Sequence, residues 1–232
     1  MHPPFVLFGR AHLIALAAIL AVPLILAALV RCKPHLDPPA RWLLVALLLP
    51  GWLSWYAVSA SRGALSIATS LPLNLCDWAA IILIVALVRP RQIPYELGYF
   101  WGLGGTLQGL ITPDIAFGFP DPQFLCFFAE HGGVVAALLY LTLGTRLRPH
   151  WASLPRVIVG TFAYVGVAAL ADWLLDANYG FLRTKPPHAS LMDLLSPWPW
   201  YIPELVLIGL AFVLLYYIPF AVADSMRRAR KT

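Results

Sequence analysis

The chain has 232 residues, of which 60% are hydrophobic and 12% are charged, and its formal net charge is +5. Soluble domains carry about 25% charged residues, so this composition excludes a soluble globular protein and predicts an integral membrane protein. A modest positive charge in such a chain gives no reason to expect nucleic-acid binding.

Seven apolar segments follow one another along the chain. They lie at about 12–30, 42–60, 71–88, 95–113, 123–143, 155–176 and 201–222. Each is long enough to cross a hydrocarbon core of ~30 Å as a helix. The fourth contains five glycines, a density that favours close helix packing. The sequence therefore predicts an all-α fold, a bundle of about seven transmembrane helices in a single integral membrane domain over residues 1–232.

Lysine and arginine are distributed unevenly between the two ends of this bundle. The end that holds the N-terminus, here called the N-terminal side, carries four of the sixteen: Arg10, Arg62, Arg183 and Lys185. The other twelve lie on the opposite, C-terminal side. Because cytoplasmic loops are enriched in these residues, we expect a multi-pass protein of the cell (inner) membrane with its N-terminus outside and its C-terminus in the cytoplasm.

Acidic residues show the opposite distribution. Eight of the eleven fall on the N-terminal side: Asp77, Asp114, Asp121, Glu130, Asp172, Asp176, Asp193 and Glu204. Gln108 lies at the same end of the fourth span and is a candidate substrate contact. Ionisable groups inside a bilayer are costly and mark sites, so we expect a polar cavity that opens to the outer leaflet. A channel or alternating-access transporter needs polar lining toward both faces, and the one-sided pattern favours an enzyme.

The stretch LPLNLCDWAA places a cysteine and an aspartate side by side at the start of the third span. We expect Thr69 or Ser70 to cap this helix, with Pro72 in its first turn. Backbone amides and the helix dipole at an N-terminus favour a thiolate, which makes Cys76 the candidate nucleophile. The alternative is a small buried cysteine that only fills space.

The stretch FFAEHGGVV in the fifth span contains the candidate general base, His131. Either Glu130 or Asp77 is a candidate to orient its ring, in a Cys–His–acid arrangement. The alternative is a histidine that a backbone carbonyl or a tyrosine satisfies. A disulfide between Cys76 and Cys126 is also open and would remove the nucleophile. The chain lacks the cysteine and histidine spacings of metal sites, so we expect neither a metal nor a cofactor.

The longest connection, residues 177–199, lies on the N-terminal side. Asn178 and Tyr179 begin a predicted tight turn, and both are candidate substrate contacts. Arg183 and Lys185 are candidates to hold the phosphate of a lipid headgroup. The alternative for both cations is anchoring at the membrane surface.

Four stretches carry a resemblance to a known family: LPLNLCDWA, ELGYFWGLGGTLQGLITPD, FFAEHGG and ANYGFLRTKPPHASLMDLLSPWPWY. Their order and spacing, over roughly Phe5 to Pro219, resemble the bacterial YwaF-like integral membrane proteins. Those are related to the eukaryotic transmembrane protein 164 family, regarded as acyltransferases that load fatty acyl chains onto lysophospholipids. More distant relatives with a similar fold are threonine-nucleophile lipid hydrolases.

The resemblance implies a cysteine nucleophile and a histidine at positions that match Cys76 and His131. Family members often carry histidine where this chain has Asn74, which leaves His131 as the base and makes Asn74 a candidate donor to an oxyanion. The implied partners are membrane phospholipids or lysophospholipids. A lipid hydrolase with the same residues, or a non-catalytic transporter or sensor that binds a ligand in the same cavity, are the alternatives.

Overall fold

The described part of the chain folds almost entirely into helices. The computed structural model describes residues 3–186 and 190–229. Residues 187–189 of the long loop, and Arg230 and Lys231 of the basic tail, lie outside the described residues. The α-helices are α1 (Arg10–Cys32), α2 (Asp37–Ser61), α3 (Leu75–Val88), α4 (Gln92–Trp101), α5 (Leu107–Ile111), α6 (Pro122–Gly144), α7 (Ser153–Leu175) and α8 (Tyr201–Ala229).

Seven helical rods are long enough, or nearly long enough, to cross a membrane. α1, α2, α6, α7 and α8 meet this requirement by length and apolar composition. α4 continues through a π-helical segment, Gly102–Thr106, into α5 without a break, so residues 92–111 form one rod. At ~1.5 Å per residue this rod is about 30 Å long. Together with the shorter α3, these rods confirm the prediction of an all-α polytopic membrane protein.

α3 is shorter than the sequence pattern predicted. It begins at residue 75 rather than 71 and has 14 residues, with Asn74 as its N-cap and a capping box between Asn74 and Asp77. The expectation that Thr69 or Ser70 caps this helix is therefore wrong, because both hydroxyls bond to Ser66 within the preceding connection. A 14-residue helix rises about 21 Å, which is less than the ~30 Å core. The start of α3 consequently lies below the membrane surface if its other end reaches the opposite interface.

α6 is the central helix of the bundle. It packs against α1, α2 and α3, and 72% of its apolar stretch is buried inside the protein, against 6–22% in the other four long helices. A Cβ added to Gly51 would lie 2.9 Å from the Ala129 backbone, and one added to Gly133 would lie 3.0 Å from Leu48. The backbones of α2 and α6 are therefore in direct contact, as small residues allow inside a bilayer.

The glycines of the fourth predicted span have the same role. A Cβ at Gly98 would lie 2.5 Å from Leu83 of α3, and one at Gly102 would lie 2.4 Å from Leu138 of α6. These contacts confirm the close packing that the glycine density predicted. The rod formed by residues 92–111 thus lies against both α3 and α6, which carry the two candidate catalytic residues.

Acidic residues on the C-terminal side make structural contacts. Glu96 is fully buried and accepts a hydrogen bond from the Ser153 hydroxyl at 2.7 Å, and Arg156 pairs with it at 3.4 Å. Arg148 forms an ion pair with Asp224 of α8. These bonds join α4, α7 and α8, and they use the few acids on this side to hold the bundle together.

Candidate functional site

Cys76 is the second residue of α3 and therefore lies in its first turn. The late start of the helix places the thiol closer to the unpaired N-terminal amides than the sequence pattern suggested, where the helix dipole acts most strongly. The side chain is half-buried, and both Cys76 and Cys126 are free thiols. The disulfide that the sequence left open is thus not formed, and the sulfur is available.

Asp77 fixes the start of α3 rather than the imidazole of His131. Its Oδ1 accepts hydrogen bonds from Trp52 Nε1 and from the Tyr56 hydroxyl, both at 2.9 Å, and its Oδ2 accepts one from the Asn74 amide at 3.1 Å. A carboxylate at the third helical position reaches back to the N-cap amide, and this local geometry turns Asp77 toward α2. Of the two acids considered for orienting His131, Asp77 is therefore committed to the helix start and to α2.

Asp77→Ala is expected to lower the free energy of unfolding by about 3 kcal/mol, because three donors lose their shared acceptor and each buried donor left unsatisfied costs about 1–3 kcal/mol. Asp77→Asn keeps one carbonyl oxygen and should lose less. Thermal unfolding in detergent, followed by tryptophan fluorescence, measures the difference. Equal stability of the two variants would contradict this role of Asp77.

Asn74 also contributes to the start of α3. Besides the capping box, its Oδ1 accepts a weak hydrogen bond from the Gly180 amide at 3.4 Å. The side-chain oxygen therefore faces backbone amides of the helix start and of the long loop. The structure thus gives Asn74 a role in holding the helix start and the loop, and its part as an oxyanion donor stays a prediction.

His131 is half-buried on α6 and lacks a partner for part of its ring. The imidazole stacks on Phe127, with ring centroids 4.0 Å apart and planes inclined by 15°. Its buried Nδ1 makes no hydrogen bond of normal geometry among the described residues, and the backbone group near the imidazole is that of Phe127, one turn earlier in α6. The neighbouring Glu130 is buried and lies within electrostatic range of Asp77 and Cys76 instead of bonding to the imidazole.

The rod of residues 92–111 connects the two candidate residues. A Cβ at Gly105 would lie 3.0 Å from Leu75, the first residue of α3, and one at Gly109 would lie 3.3 Å from Cδ2 of His131. Positions 105 and 109 are about one helical turn apart on the same face. The first turn of α3 and the imidazole therefore flank the same strip of this rod.

Two further polar groups at this place carry no strong sequence signal. Thr106 is the last residue of the π segment, and its hydroxyl is beside the Cys76 thiol. Tyr164 of α7 directs its hydroxyl toward the Leu75 amide and lies within electrostatic range of Cys76. Both hydroxyls are buried and have no hydrogen-bond partner that meets normal geometry among residues 3–186 and 190–229.

Several buried polar atoms without a partner of normal geometry lie around the start of α3 and the adjoining rod of residues 92–111. Six buried side-chain polar atoms in the described part of the chain have no partner, and those of Thr106, His131 and Tyr164 are three of them. Buried polar groups are normally paired, and exceptions mark strain or a catalytic role. The only sequence signal for Thr106 is its place at the end of the glycine-rich run GLGGT. This run forms the π segment, and such segments are frequent at functional sites. For Tyr164 we find no signal in the sequence.

The long loop is held in place by its own polar residues. Asn178 Oδ1 accepts hydrogen bonds from the Arg183 and Thr184 amides at 2.9 and 3.0 Å, and its Nδ2 donates to the Thr184 hydroxyl at 2.7 Å. The Tyr179 hydroxyl donates to the Ile67 carbonyl at 2.6 Å. Burial raises the pKa of the Tyr179 phenol, which keeps it protonated as a donor. Asn178 and Tyr179 therefore shape the loop and tie it to the connection before α3.

The two candidate phosphate-binding cations lie in different surroundings. Arg183 Nη1 pairs with Asp176 at 2.6 Å and also donates to the Ala177 carbonyl at 3.2 Å, while its side chain stays half exposed. Lys185 Nζ donates to the Leu195 carbonyl at 2.7 Å and lies 5.7 Å from the ring centre of Tyr201. The Arg183 guanidinium is therefore still accessible from solvent, whereas the Lys185 ammonium is held by a carbonyl of the loop.

Two open cavities lie against this loop. The larger, about 530 Å³, is lined by Thr69, Asn178, Arg183 and Trp198 among others, and the smaller, about 290 Å³, includes Asp172 and Arg183. Neither is lined by Cys76 or His131. Gln108, near the C-terminal end of the rod formed by residues 92–111, donates to the Tyr216 hydroxyl of α8 at 3.3 Å. The cavities thus lie on the same side of the bundle as the thiol but nearer its surface.

Comparison with known proteins identifies the family of the chain. No curated protein and no solved structure matches it. The TMEM164 family matches residues 7–217, a range that includes α1 to α7 and more than half of α8. The stretch that supplies Cys76, Thr106, His131 and Arg183 lies entirely within it. The chain therefore belongs to the TMEM164 family.

Proposed function

We propose that the protein is a membrane-lipid acyltransferase in which Cys76 is the nucleophile and His131 is the general base. One observation carries the proposal: a free thiol in the first turn of a short helix is accompanied by buried hydroxyl and imidazole groups without partners. Stability alone would favour apolar side chains there, since unsatisfied buried polar groups cost about 1–3 kcal/mol each. A reaction that uses these groups accounts for their presence.

The chemistry proceeds in two half-reactions. The Cys76 thiol gives its proton to His131 as the sulfur bonds to the ester carbonyl carbon of a donor phospholipid. The ester C–O bond breaks, the imidazolium returns the proton to the leaving oxygen, and a thioester and a lysophospholipid remain. The hydroxyl of an acceptor lysophospholipid then gives its proton to His131 and attacks the thioester. The C–S bond breaks, and the sulfur takes the proton back.

The loop supports recognition of the lipid headgroup. Arg183 borders both cavities and offers a half-exposed guanidinium, which suits bidentate contact with a phosphate. Asn178 and Tyr179 hold this loop against the connection before α3. Lys185 and Gln108 are two further polar residues on the N-terminal side. The acyl chain would follow the apolar helix surfaces toward Cys76.

The proposal also covers the bacterial branch of the family and the orientation of the protein in the membrane. The order of the four motifs supports a YwaF-like bacterial member of the family. The distribution of lysine and arginine supports the inner membrane, with the N-terminus outside and the site open to the outer leaflet. Phospholipids or lysophospholipids of that leaflet are then the partners.

Transfer of a labelled acyl chain tests the function. The purified protein is placed in vesicles that contain a phospholipid with one labelled acyl chain and an unlabelled lysophospholipid with a different headgroup. We expect the label to appear in a phospholipid with the acceptor headgroup. Label found only as free fatty acid would identify a hydrolase, and label that stays in the donor would contradict catalysis and favour a binding protein.

A further inference from the structure

The hydroxyl of Thr106 differs from those of the other helical threonines. Four threonines in or at the ends of helices donate a hydrogen bond to the carbonyl four residues earlier, at 2.6–3.1 Å: Thr112, Thr142, Thr145 and Thr161. This bond is the usual way in which a threonine hydroxyl is satisfied in a helix. Thr106 is fully buried and makes no such bond within the described residues.

The free hydroxyl lies at the end of the π-helical register. The carbonyl that Thr106 would use belongs to Gly102, and this oxygen is directed to the amide of Leu107, five residues later, instead of the α-helical position four residues later. A π segment is a local widening of the helix that costs stability and is found most often at functional sites. Here the widening coincides with the one helical threonine whose hydroxyl is left for another partner in the described chain.

The Cys76 thiol is the available partner. The π segment packs on the start of α3, since a Cβ added to Gly105 would lie 3.0 Å from Leu75, the residue before Cys76. The Thr106 hydroxyl lies beside the thiol without closing a hydrogen bond of normal geometry to it. The charged groups within electrostatic range of the sulfur are the carboxyl groups of Glu130 and Asp77. A negative sulfur in such surroundings needs hydrogen-bond donors, because burying an unpaired charge is far more costly than burying a bonded one. The first-turn amides of α3 supply part of this stabilisation, and a hydroxyl can supply more.

We propose that the Thr106 hydroxyl donates a hydrogen bond to the sulfur of Cys76 and stabilises its thiolate for the attack on the acyl donor. The proton stays on the threonine oxygen throughout, so Thr106 positions and polarises the nucleophile without exchanging a proton with it. This role rests on the proposed function, since it assigns Thr106 to the same reaction centre. In the π segment this hydroxyl makes no hydrogen bond to its own helix, so it remains available to the sulfur.

Alkylation of Cys76 by iodoacetamide across a range of pH tests the inference on the full-length protein. Mass spectrometry of the Cys76 peptide reports this thiol separately from Cys32 and Cys126. We expect Thr106→Val, which keeps the shape and removes the hydroxyl, to slow alkylation about tenfold at neutral pH, because the thiolate loses a charge-assisted hydrogen bond. The rise of the alkylation rate with pH should move upward by about one pH unit.

Two further variants separate this role from a structural one. Thr106→Ser restores the hydroxyl and should return the pH profile to that of the wild type. Thr142→Val removes a half-buried hydroxyl that bonds to Tyr95 and the Leu138 carbonyl, and it should lower stability while the profile of Cys76 stays unchanged. An unchanged profile in Thr106→Val, or a failure of Thr106→Ser to restore it, would overturn the proposal.

The test does not depend on folding of a single variant or on the acyl reaction. If Thr106→Val does not fold, Thr106→Ala removes the hydroxyl without adding volume, and a wild-type profile in that variant overturns the proposal. Alkylation needs no lipid substrate. A shifted profile in a protein that transfers no acyl chain refutes the proposed function alone, whereas an active enzyme with an unchanged profile refutes only the role of Thr106.

Discussion

Cys76→Ser is expected to lower the rate of acyl transfer by about 10³–10⁶-fold, the range in which loss of a catalytic nucleophile falls. A serine hydroxyl ionises far less readily than a thiol, so His131 would remove its proton much less effectively. The initial rate of labelled phospholipid formation in vesicles measures the effect. The oxygen and sulfur side chains are close in size, so the fold should not change.

The other two cysteines provide matched controls for this change. Cys32 is exposed at the far end of α1, and Cys126 is buried on α6 one and a half turns before His131. Cys32→Ser and Cys126→Ser should keep the wild-type rate within a few-fold. A Cys76→Ser variant that is as active as these two would show that the sulfur takes no part in the reaction.

His131→Gln is expected to lower the rate by about 10²–10⁴-fold, the contribution of a positioned general base. Glutamine is similar in size and polar, so it can occupy the place of the imidazole against Phe127 and Gly109 without a large change in packing. It cannot accept and return a proton near neutral pH. The same vesicle assay measures the rate, and far-UV circular dichroism checks that the helices are retained.

His35 is the matched control because it lies in a short exposed turn just after the end of α1, on the C-terminal side and away from the site. His35→Gln should leave the rate unchanged. If His131→Gln transfers acyl chains as fast as His35→Gln, the imidazole is not the base, and one of the other polar groups at the start of α3 must take that role.

The overall fold could be predicted because it follows from chain-wide properties. Apolar runs long enough to span ~30 Å require helices, since no other open structure satisfies the backbone in lipid. The concentration of acids on one side is likewise a property of the whole sequence, and the C-terminal side indeed uses Glu96 for a buried structural contact. The glycines of the fourth span predicted close packing, which the contacts of Gly98 and Gly102 confirm.

The details of the site depend on local bonds that periodicity does not reveal. Residues 71–74 continue the apolar segment with two leucines, and the hydrogen bond that the Asn74 amide donates to Asp77 marks where α3 begins. That bond also turned Asp77 away from His131. The freed hydroxyl of Thr106 arises from a register shift in the backbone, which no side-chain pattern encodes directly.

The contacts made by the long loop could not be predicted from the sequence either. Sequence reasoning grouped Arg183 and Lys185 because both are cations in one connection. In the structure the Lys185 ammonium bonds to the Leu195 carbonyl, and only Arg183 borders the cavities. The role of Tyr179 in holding the connection before α3 requires a contact across more than 100 positions of the chain, which spacing along the sequence cannot indicate.

The central claim is that the sulfur of Cys76 carries the acyl chain between two lipids. Purified protein is mixed with a donor phospholipid in vesicles, quenched in acid within the first turnover and digested for mass spectrometry. We expect the peptide that contains Cys76 to gain the mass of the acyl group and to lose it on treatment with neutral hydroxylamine, as a thioester does. Acyl transfer that proceeds while this peptide stays unmodified, or an acyl group found on another residue, would contradict the account.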